Sequence, residues 1–377
     1  MVRLAAMNPL VSLTLAAAMT ASTFAADAPF YLGTYTKSGK SKGIYVGKLD
    51  TDTGKLGPLE VAGEAQSPSF VALSPNQKFL YAALEDGGGA VGAFAVGADG
   101  KLTTLNSAPS GGGGACHVWV DATGKNVFVA NYGGGSIAVF QAKADGSLGE
   151  RTSFVQFEGS GPDQARQKGP HGHSIYTDAA NKFVYSCDLG TDNVWIFKLD
   201  ADKGTLTPTD PPSGKVPPGA GPRHLALHPN GKFAYVNNEM GLSVTVFARD
   251  PATGALDALQ TLPTVPEGTD PKGVSTAEIF VHPSAKWLYV SNRAHDTIAV
   301  YSIGEDGKLA WIENAPAGVK VPRGFHIDPT GKWLITAGQD DDRIAVLKID
   351  PATGKLSATD QSVEVGTPVC VLFAPAK

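Results

Sequence analysis

Arginine, histidine and glutamate residues stand at fixed distances from a lysine that recurs six times, and together they could bind an anion and move a proton. The recurring lysines are Lys78, Lys125, Lys182, Lys232, Lys286 and Lys332. The candidates are His117, His173, Arg223, His224, Glu278 and Arg323, eight or nine positions before a lysine, and Asn131, Glu239, Arg293 and Gln339, six or seven positions after one. Arginine binds carboxylate or phosphate through paired hydrogen bonds, and glutamate or histidine can transfer a proton. The set predicts a site for a small anionic molecule.

The segments around these lysines indicate how the chain positions the candidates. Each has a short apolar strand, a turn that ends at the lysine, and a strand in which aromatic and β-branched residues alternate. A third strand follows, and then a turn of the Asp-Gly-Lys-Leu type. The leucines of these turns are Leu56, Leu102, Leu148, Leu206, Leu256, Leu309 and Leu356. A repeat of about 50 residues with four short strands is typical of a β-propeller.

The two ends of the chain supply one further blade. Residues 368–375 have the pattern of a first strand with nothing after it, and residues 30–57 that of later strands with nothing before them. Joined, they close a ring and pair strands that would otherwise be sheet edges. We therefore predict an all-β fold, a seven-bladed β-propeller that forms one domain over residues 26–377. Its last blade is closed by the N- and C-terminal strands.

A propeller places the candidates on one rim. The first strand of each blade lines the central channel, and its start lies on the same face as the end of the second strand. Long connections rich in Pro and Gly, at 157–172, 207–222 and 257–276, are expected to wall a pocket on that rim. Alternatively, the same side chains could have a structural role in hydrogen-bonded networks between blades. His228 and His282, beside prolines at the other end of the sheet, are expected to be turn residues.

The histidines and cysteines suggest two further chemistries, and neither is favoured. Three histidines around an axis could bind a metal, but nothing in the spacing of His117, His173 and His224 demands one. Cys116 precedes His117, yet neighbours on a strand point to opposite faces, so no thiol nucleophile is expected. We predict no metal and no cofactor.

Composition and the N-terminus restrict the partners and the compartment. The chain has 31 basic and 36 acidic residues, a net charge of −5 and no basic run, and this composition disfavours binding to nucleic acid. No segment approaches the ~20 apolar residues that span a bilayer. Arg3, an apolar run at 10–21 and small residues before Ala26 predict a signal peptide over residues 1–25 and export to the periplasm. Without that signal the protein would be cytoplasmic.

Several sequence motifs together resemble the lactonase family of seven-bladed β-propellers. They are YLGTYT with GIYV, PHGHS, GPRHLALHPNGKFAYVNNE, SNR and PRGFHIDPTGKWL, and they span roughly residues 30–375. The family includes the propeller-type 6-phosphogluconolactonases and the fungal 3-carboxy-cis,cis-muconate lactonising enzyme. In the muconate enzymes, one His, two Arg and one Glu are the proposed active-site set. The resemblance therefore implies that His173, Arg223, Glu239 and Arg293 are catalytic.

The resemblance and the residues together lead to a first hypothesis and two alternatives. The first is hydrolysis of a sugar lactone, of the 6-phosphogluconolactone type, by water that Glu239 or His173 activates. Arg223 and Arg293 would hold the anionic substrate, and the other candidates would bind it. The alternatives are a muconate-type lactonising cycloisomerase and a non-catalytic periplasmic propeller that binds a partner. We expect a monomer, and export would favour an unphosphorylated lactone.

Overall fold

The computed structural model describes residues 27–374, which form 28 strands in seven four-stranded antiparallel sheets. The first half of the chain contains β1 Asp27–Thr34, β2 Gly43–Asp50, β3 Glu60–Glu64, β4 Pro68–Leu73, β5 Phe79–Leu84, β6 Ala90–Val96, β7 Leu102–Pro109, β8 Ala115–Val120, β9 Asn126–Asn131, β10 Ser136–Ala142, β11 Leu148–Gln156, β12 Gly172–Thr177, β13 Phe183–Asp188 and β14 Asn193–Asp200. The second half contains β15 Thr205–Lys215, β16 Pro222–Leu227, β17 Phe233–Asn238, β18 Ser243–Arg249, β19 Leu256–Pro263, β20 Ser275–Val281, β21 Trp287–Arg293, β22 Thr297–Ile303, β23 Leu309–Pro316, β24 Pro322–Ile327, β25 Trp333–Gly338, β26 Arg343–Ile349, β27 Leu356–Glu364 and β28 Pro368–Phe373.

Seven blades follow one another around the ring, as predicted. Blades 1 to 6 are β4–β7, β8–β11, β12–β15, β16–β19, β20–β23 and β24–β27, each ordered from the innermost strand outward. Blade 7 has the order β28-β1-β2-β3, in which Leu32 pairs with Val371 and Tyr31 with Leu372. The prediction of an all-β propeller closed by its two terminal strands is confirmed.

Regular hydrogen bonds between neighbouring blades accompany the apolar core. In five blades a tyrosine of the second strand donates its hydroxyl to a glycine carbonyl in an outer turn of the next blade. These pairs are Tyr31–Gly100 at 3.1 Å, Tyr81–Gly146 at 2.9 Å, Tyr185–Gly254 at 2.9 Å, Tyr235–Gly307 at 3.1 Å and Tyr289–Gly354 at 2.7 Å. Gly307 has φ +76°, and a Cβ there would stand 2.3 Å from the Phe233 ring, so the turn requires glycine.

Removing one of these hydroxyls is expected to destabilise the ring. In Tyr235→Phe the buried Gly307 carbonyl loses its partner, which should lower the free energy of unfolding by about 1–2 kcal/mol. Chemical denaturation of the variant and the wild type measures the loss. Tyr45→Phe is the control, since the Tyr45 hydroxyl only accepts the exposed Lys42 N–H at 3.4 Å. Equal losses in the two variants would argue against a contribution from the bond between blades.

The loops on the predicted rim are shorter than the sequence suggested. The connection at 157–171 is a loop between β11 and β12. The outer strand β15 takes up most of 207–222, and β19 takes up the first part of 257–276, which leaves loops at 216–221 and 264–274. Outer strands are half exposed and rich in polar residues, and β15 contains prolines, so their pattern resembles a loop. His228 and His282 lie in turns and contact backbone carbonyls of the next blade, at 3.2 and 2.8 Å.

Two further predictions concern a signal peptide and membrane-spanning segments. The predicted signal peptide at residues 1–25 lies outside the residues that the structure describes. No helix within residues 27–374 has the length and apolar character needed to cross a membrane.

Candidate active site

Most of the candidates that precede a repeat lysine by eight or nine positions lie at a β-bulge near the start of an innermost strand. Pairing with the second strand shifts register between Gly172 and Ser174, so that His173 is the extra residue. The same shift makes Arg223 the extra residue of β16 and Arg323 that of β24. A bulge re-aims a side chain and interrupts the alternation of a strand. This local geometry explains why consecutive residues such as Arg223 and His224 both take part in the site.

The buried carboxylate of Glu239 is the centre of the site. Glu239 directly follows β17, and its Oε1 accepts Arg166 Nη2 at 2.8 Å. Its Oε2 accepts Arg223 Nε at 3.1 Å and Arg293 Nη2 at 3.0 Å. Burial alone would raise the pKa of Glu239, but Arg293, Arg223 and Arg166 outweigh it and lower the pKa to about 2. Three guanidiniums share one carboxylate, which leaves two positive charges uncompensated.

His173 stands beside this carboxylate. Its Nε2 lies 3.8 Å from Glu239 Oε2, and only 4% of the residue is exposed. Burial, followed by the charges of Arg223 and of further cations, holds the pKa of His173 well below its usual range. The imidazole is therefore neutral at pH 7. A proton that it received would be stabilised by the adjacent carboxylate.

Arg166 reaches the site from the loop at 157–171, and sequence reasoning missed it. Its Nη2 donates to both Glu239 and the Tyr132 hydroxyl, at 2.8 and 2.9 Å, while 44% of its side chain is exposed. Buried Gln167 holds the loop by donating to the Leu189 carbonyl and to Asp192 Oδ1, both at 2.8 Å. Only the general expectation of a loop on this rim could have pointed to Arg166.

A deeper group of side chains continues the site into the channel. His224 contacts Arg223 Nη1 through Nε2 at 3.2 Å and Glu278 Oε1 through Nδ1 at 2.7 Å. Burial raises the pKa of Glu278 to about 7, although Arg223 and other groups lower it. His117 packs against the Phe70 ring at 4.2 Å and against the His224 ring at 5.3 Å. Its buried Nε2 has no hydrogen-bond partner within residues 27–374.

Arg323 is the one rim arginine of the predicted set that no carboxylate binds in the described part of the chain. Its guanidinium lies 5.4 Å from the centre of the Tyr35 ring, and the Tyr35 hydroxyl donates to Glu85 Oε2 at 2.9 Å. Burial would lower the pKa of Arg323, but Tyr35, Glu85 and Glu239 together raise it. Glu85 and Tyr132, like Glu239, follow a repeat lysine by seven positions, and this spacing could have identified both as residues of the site.

The side chains of Asn131 and Gln339, two residues of the predicted binding set, form hydrogen bonds within their own blades. Asn131 is fully buried and donates to Ser136 Oγ at 3.1 Å, as Asn238 does to Ser243 Oγ at 2.9 Å. This recurring bond joins neighbouring strands within a blade. The Gln339 side chain donates to Asp340 Oδ1 at 3.2 Å on the exposed surface. Within residues 27–374, the hydrogen bonds of these two side chains do not involve Glu239 or its arginines.

Metal and thiol chemistry have little structural basis in this site. No group of three His, Cys, Asp or Glu side chains within residues 27–374 is arranged to hold a metal ion. Cys116 occupies the bulge of β8, and its thiol faces the His173 carbonyl at 3.3 Å. Burial raises the pKa of this thiol to about 12, so it is not a thiolate at neutral pH.

The fold and the cluster together define a seven-bladed β-propeller with a positively charged site at one mouth of its channel. Residues 29–373 match the family model described as "Lactonase, 7-bladed beta-propeller". The chain belongs to this family, which confirms the resemblance seen in its motifs and places the chain in the lactonase class of enzymes.

Relatives along nearly the whole chain carry lactonase names. The 6-phosphogluconolactonase of Bacillus subtilis (strain 168) is 36% identical over 346 residues, which cover 91% of this chain and 97% of that protein. The 6-phosphogluconolactonase of Formosa agariphila is 32% identical over 89% of this chain and 96% of its own length. The solved structure of the periplasmic gluconolactonase of Pseudomonas aeruginosa is 28% identical, has a TM-score of 0.87 and covers 93% of this chain and 100% of its own.

Proposed function

We propose that the protein hydrolyses a sugar lactone that carries an anionic group, as in 6-phosphogluconolactone. The observation that carries this proposal is the uncompensated charge around Glu239, where three guanidiniums share one carboxylate. Positive charge that is buried without a partner is costly, and it is retained where it binds an anion. The names of the relatives support a lactone as substrate.

His173 is the proposed base of the reaction. It takes a proton from a water molecule as that water attacks the ring carbonyl carbon, and the electron pair of the carbonyl moves onto its oxygen. Arg223 and Arg293 stabilise the oxyanion. When the oxyanion collapses, the bond from the carbonyl carbon to the ring oxygen breaks, and His173 returns its proton to that oxygen. The product is the open-chain hydroxy acid, and the scheme requires no cofactor.

Glu239 has a different proposed role from the one that its position alone suggested. A carboxylate with a pKa of about 2 is a weak base, and its protonation would disrupt its contacts with three arginines. We assign it instead to holding the arginines and to stabilising the imidazolium that forms at His173, 3.8 Å away. His173 is neutral at pH 7 and can therefore accept a proton.

Two arginines are available for the anionic substituent of the lactone. Arg166 is half exposed and shares Glu239 with two other arginines, and Arg323 has no bound carboxylate in the described part of the chain. Both can form paired hydrogen bonds with a phosphate.

Arg323→Ala is therefore expected to raise KM for 6-phosphogluconolactone by about 10- to 100-fold, the loss of one to two charge-assisted hydrogen bonds. The loss for δ-gluconolactone should be much smaller. Acid release in a pH-stat measures both substrates. Arg343→Ala, which removes an exposed arginine paired with Asp341, is the matched control. Equal losses on the two lactones would contradict an anion-binding role for Arg323.

Turnover by the purified protein tests the proposed reaction. δ-Gluconolactone, its 6-phosphate and a muconolactone are supplied in parallel, and acid release is compared with spontaneous hydrolysis. We expect the largest kcat/KM for the 6-phosphate. Turnover of the muconolactone alone would favour the cycloisomerase, and no turnover of any lactone would favour the non-catalytic propeller.

We also propose that the protein is exported through residues 1–25. If the protein is exported, its natural lactone is unphosphorylated and the 6-phosphate is an anionic probe of the site. The name of the Pseudomonas aeruginosa structure combines the periplasm with gluconolactone. Mass spectrometry of the mature chain tests this proposal, since cleavage should leave Ala26 as the first residue. An intact N-terminus would indicate the cytoplasm.

A further inference from the structure

A second carboxyl group lies below the mouth, in the channel, and the proposed mechanism does not use it. Glu278, on β20, is 5% exposed and is connected to the mouth by a chain of side-chain hydrogen bonds. Its Oε1 meets His224 Nδ1 at 2.7 Å, His224 Nε2 meets Arg223 Nη1 at 3.2 Å, and Arg223 Nε donates to Glu239 Oε2 at 3.1 Å. The chain runs continuously from the channel to the central carboxylate.

The chemistry of arginine determines the direction of every bond in this chain. A guanidinium only donates, so His224 Nε2 must accept from Arg223. The proton of neutral His224 is therefore on Nδ1, and Glu278 Oε1 accepts it. The same Oε1 also accepts the Ile279 N–H at 3.0 Å. Glu278 and Arg223 together fix the tautomer of His224. His224 in turn helps to orient the Arg223 guanidinium, which also donates to Glu239 and to the Ala277 carbonyl.

The second oxygen of Glu278 allows the residue to change its charge without breaking this chain. Both observed hydrogen bonds of the Glu278 carboxyl use Oε1, which accepts two N–H groups. A proton on Oε2 would leave Oε1 as an acceptor, so both protonation states keep the observed bonds. Loss of that proton adds one negative charge beneath the arginines of the mouth.

The surroundings of Glu278 contain two arginines and four groups that are neutral near pH 7. Titratable and charged groups of β12, β16, β24 and β28 interact with Glu278 electrostatically or by a hydrogen bond. They are Tyr176, Arg223, His224, Arg323, His326 and Cys370. Burial raises the pKa of Glu278 to about 7, and Arg223, His326 and Arg323 limit that rise. Burial holds the pKa of both histidines below the usual range, so the carboxyl is the group of this set that titrates near neutral pH.

We propose that Glu278 is a positioning residue that orients Arg223 through His224, and that its proton sets the charge beneath the mouth. Ionisation of Glu278 then weakens the binding of anions at the arginines. This inference rests on the proposed function for its substrate class. The charge effect itself is independent of turnover and concerns any dianion that occupies the mouth.

Equilibrium binding of sulfate tests the charge effect, because sulfate remains a dianion from pH 6 to pH 8. Isothermal titration calorimetry on wild type and Glu278→Gln gives Kd at both pH values. We expect Kd to rise about fivefold between pH 6 and pH 8 in wild type, as one charge is added at a distance of several ångströms. In Glu278→Gln the rise should stay below about twofold. Equal rises in both proteins, or no sulfate binding to wild type, would overturn the proposal.

Two substitutions at Glu278 test the positioning role. Gln keeps an oxygen that can accept from His224 and Ile279, whereas Ala removes it. We expect Glu278→Ala to lose at least about tenfold more kcat/KM on 6-phosphogluconolactone than Glu278→Gln loses. Equal losses would contradict the positioning role. If Glu278→Ala does not fold, the ¹⁵N shifts of His224 decide: Nδ1 should carry the proton in wild type and Glu278→Gln, and the Nε2–H tautomer in wild type would refute the role.

The outcomes separate this inference from the proposed function. A wild-type protein that binds sulfate with the expected pH dependence but hydrolyses no lactone would contradict the proposed function alone. A protein that hydrolyses the 6-phosphate, but whose sulfate binding has the same pH dependence in Glu278→Gln, would contradict this inference alone.

Discussion

Glu239→Gln is expected to lower kcat/KM for 6-phosphogluconolactone by roughly a thousandfold. The substitution leaves the shape of the side chain but removes the charge that holds Arg166, Arg223 and Arg293 in place. It also removes the carboxylate that would stabilise an imidazolium at His173. Steady-state kinetics in a pH-stat measure the loss. Glu60→Gln, an exposed glutamate paired with Lys101, provides the same chemical change outside the site.

The same substitution is expected to destabilise the fold. The pKa of Glu239 falls from 4.5 to about 2 on folding, so this group adds about 3 kcal/mol to the free energy of unfolding above pH 4.5. That contribution is lost as the pH falls from about 4.5 to about 2. Denaturation of wild type and Glu239→Gln at pH 7 should therefore differ by about 3 kcal/mol, and the difference should shrink in acid. Full activity in a folded Glu239→Gln protein would contradict the role of this residue.

His173→Asn is expected to lower kcat by about 10²- to 10⁴-fold, the usual contribution of a general base. KM should change less than kcat, because the arginines that hold the substrate remain. Since the pKa of His173 lies well below its usual range, wild-type kcat should show no acidic limb from this group near pH 6.5. A kcat–pH profile of wild type and variant measures both effects.

His295→Asn is the control for the histidine substitution. His295 is half exposed, and its Nδ1 contacts Thr297 Oγ1 at 2.7 Å in a turn between β21 and β22. Its replacement should change kcat by less than about twofold. Comparable losses in both histidine variants would mean that the effect at position 173 comes from folding and not from proton transfer.

The repeat was sufficient to predict the fold and most of the site. Six blades have the same number of residues between the mouth and the turn lysine, and the bulge at the entrance recurs, so offsets from Lys182 or Lys232 identify His173 and Arg223. No such offset applies to Arg166, because the connections between blades differ in length. The contact of Arg166 with Glu239 depends on the tertiary fold of the loop at 157–171, which Gln167 anchors.

The lysine offset gives less information about Asn131 and Gln339 than about the other candidates. An offset predicts which end of a strand a residue occupies, but not whether its side chain has a partner within its own blade. Asn131, with Asn238 as its equivalent in blade 4, satisfies a strand-to-strand contact, so its repetition marks a structural role. Gln339 follows Gly338 into an exposed acidic turn, and its side chain bonds to Asp340 there.

A crystal structure of the protein with 6-phosphogluconate, the open-chain product, tests the central claim most directly. We predict that the sugar acid lies across the mouth, with its carboxylate at Arg293 and His173 and its phosphate at Arg323 and Arg166. A ligand bound at the outer skirt of the blades, or at the opposite end of the channel, would contradict the assignment of catalysis to the arginines around Glu239.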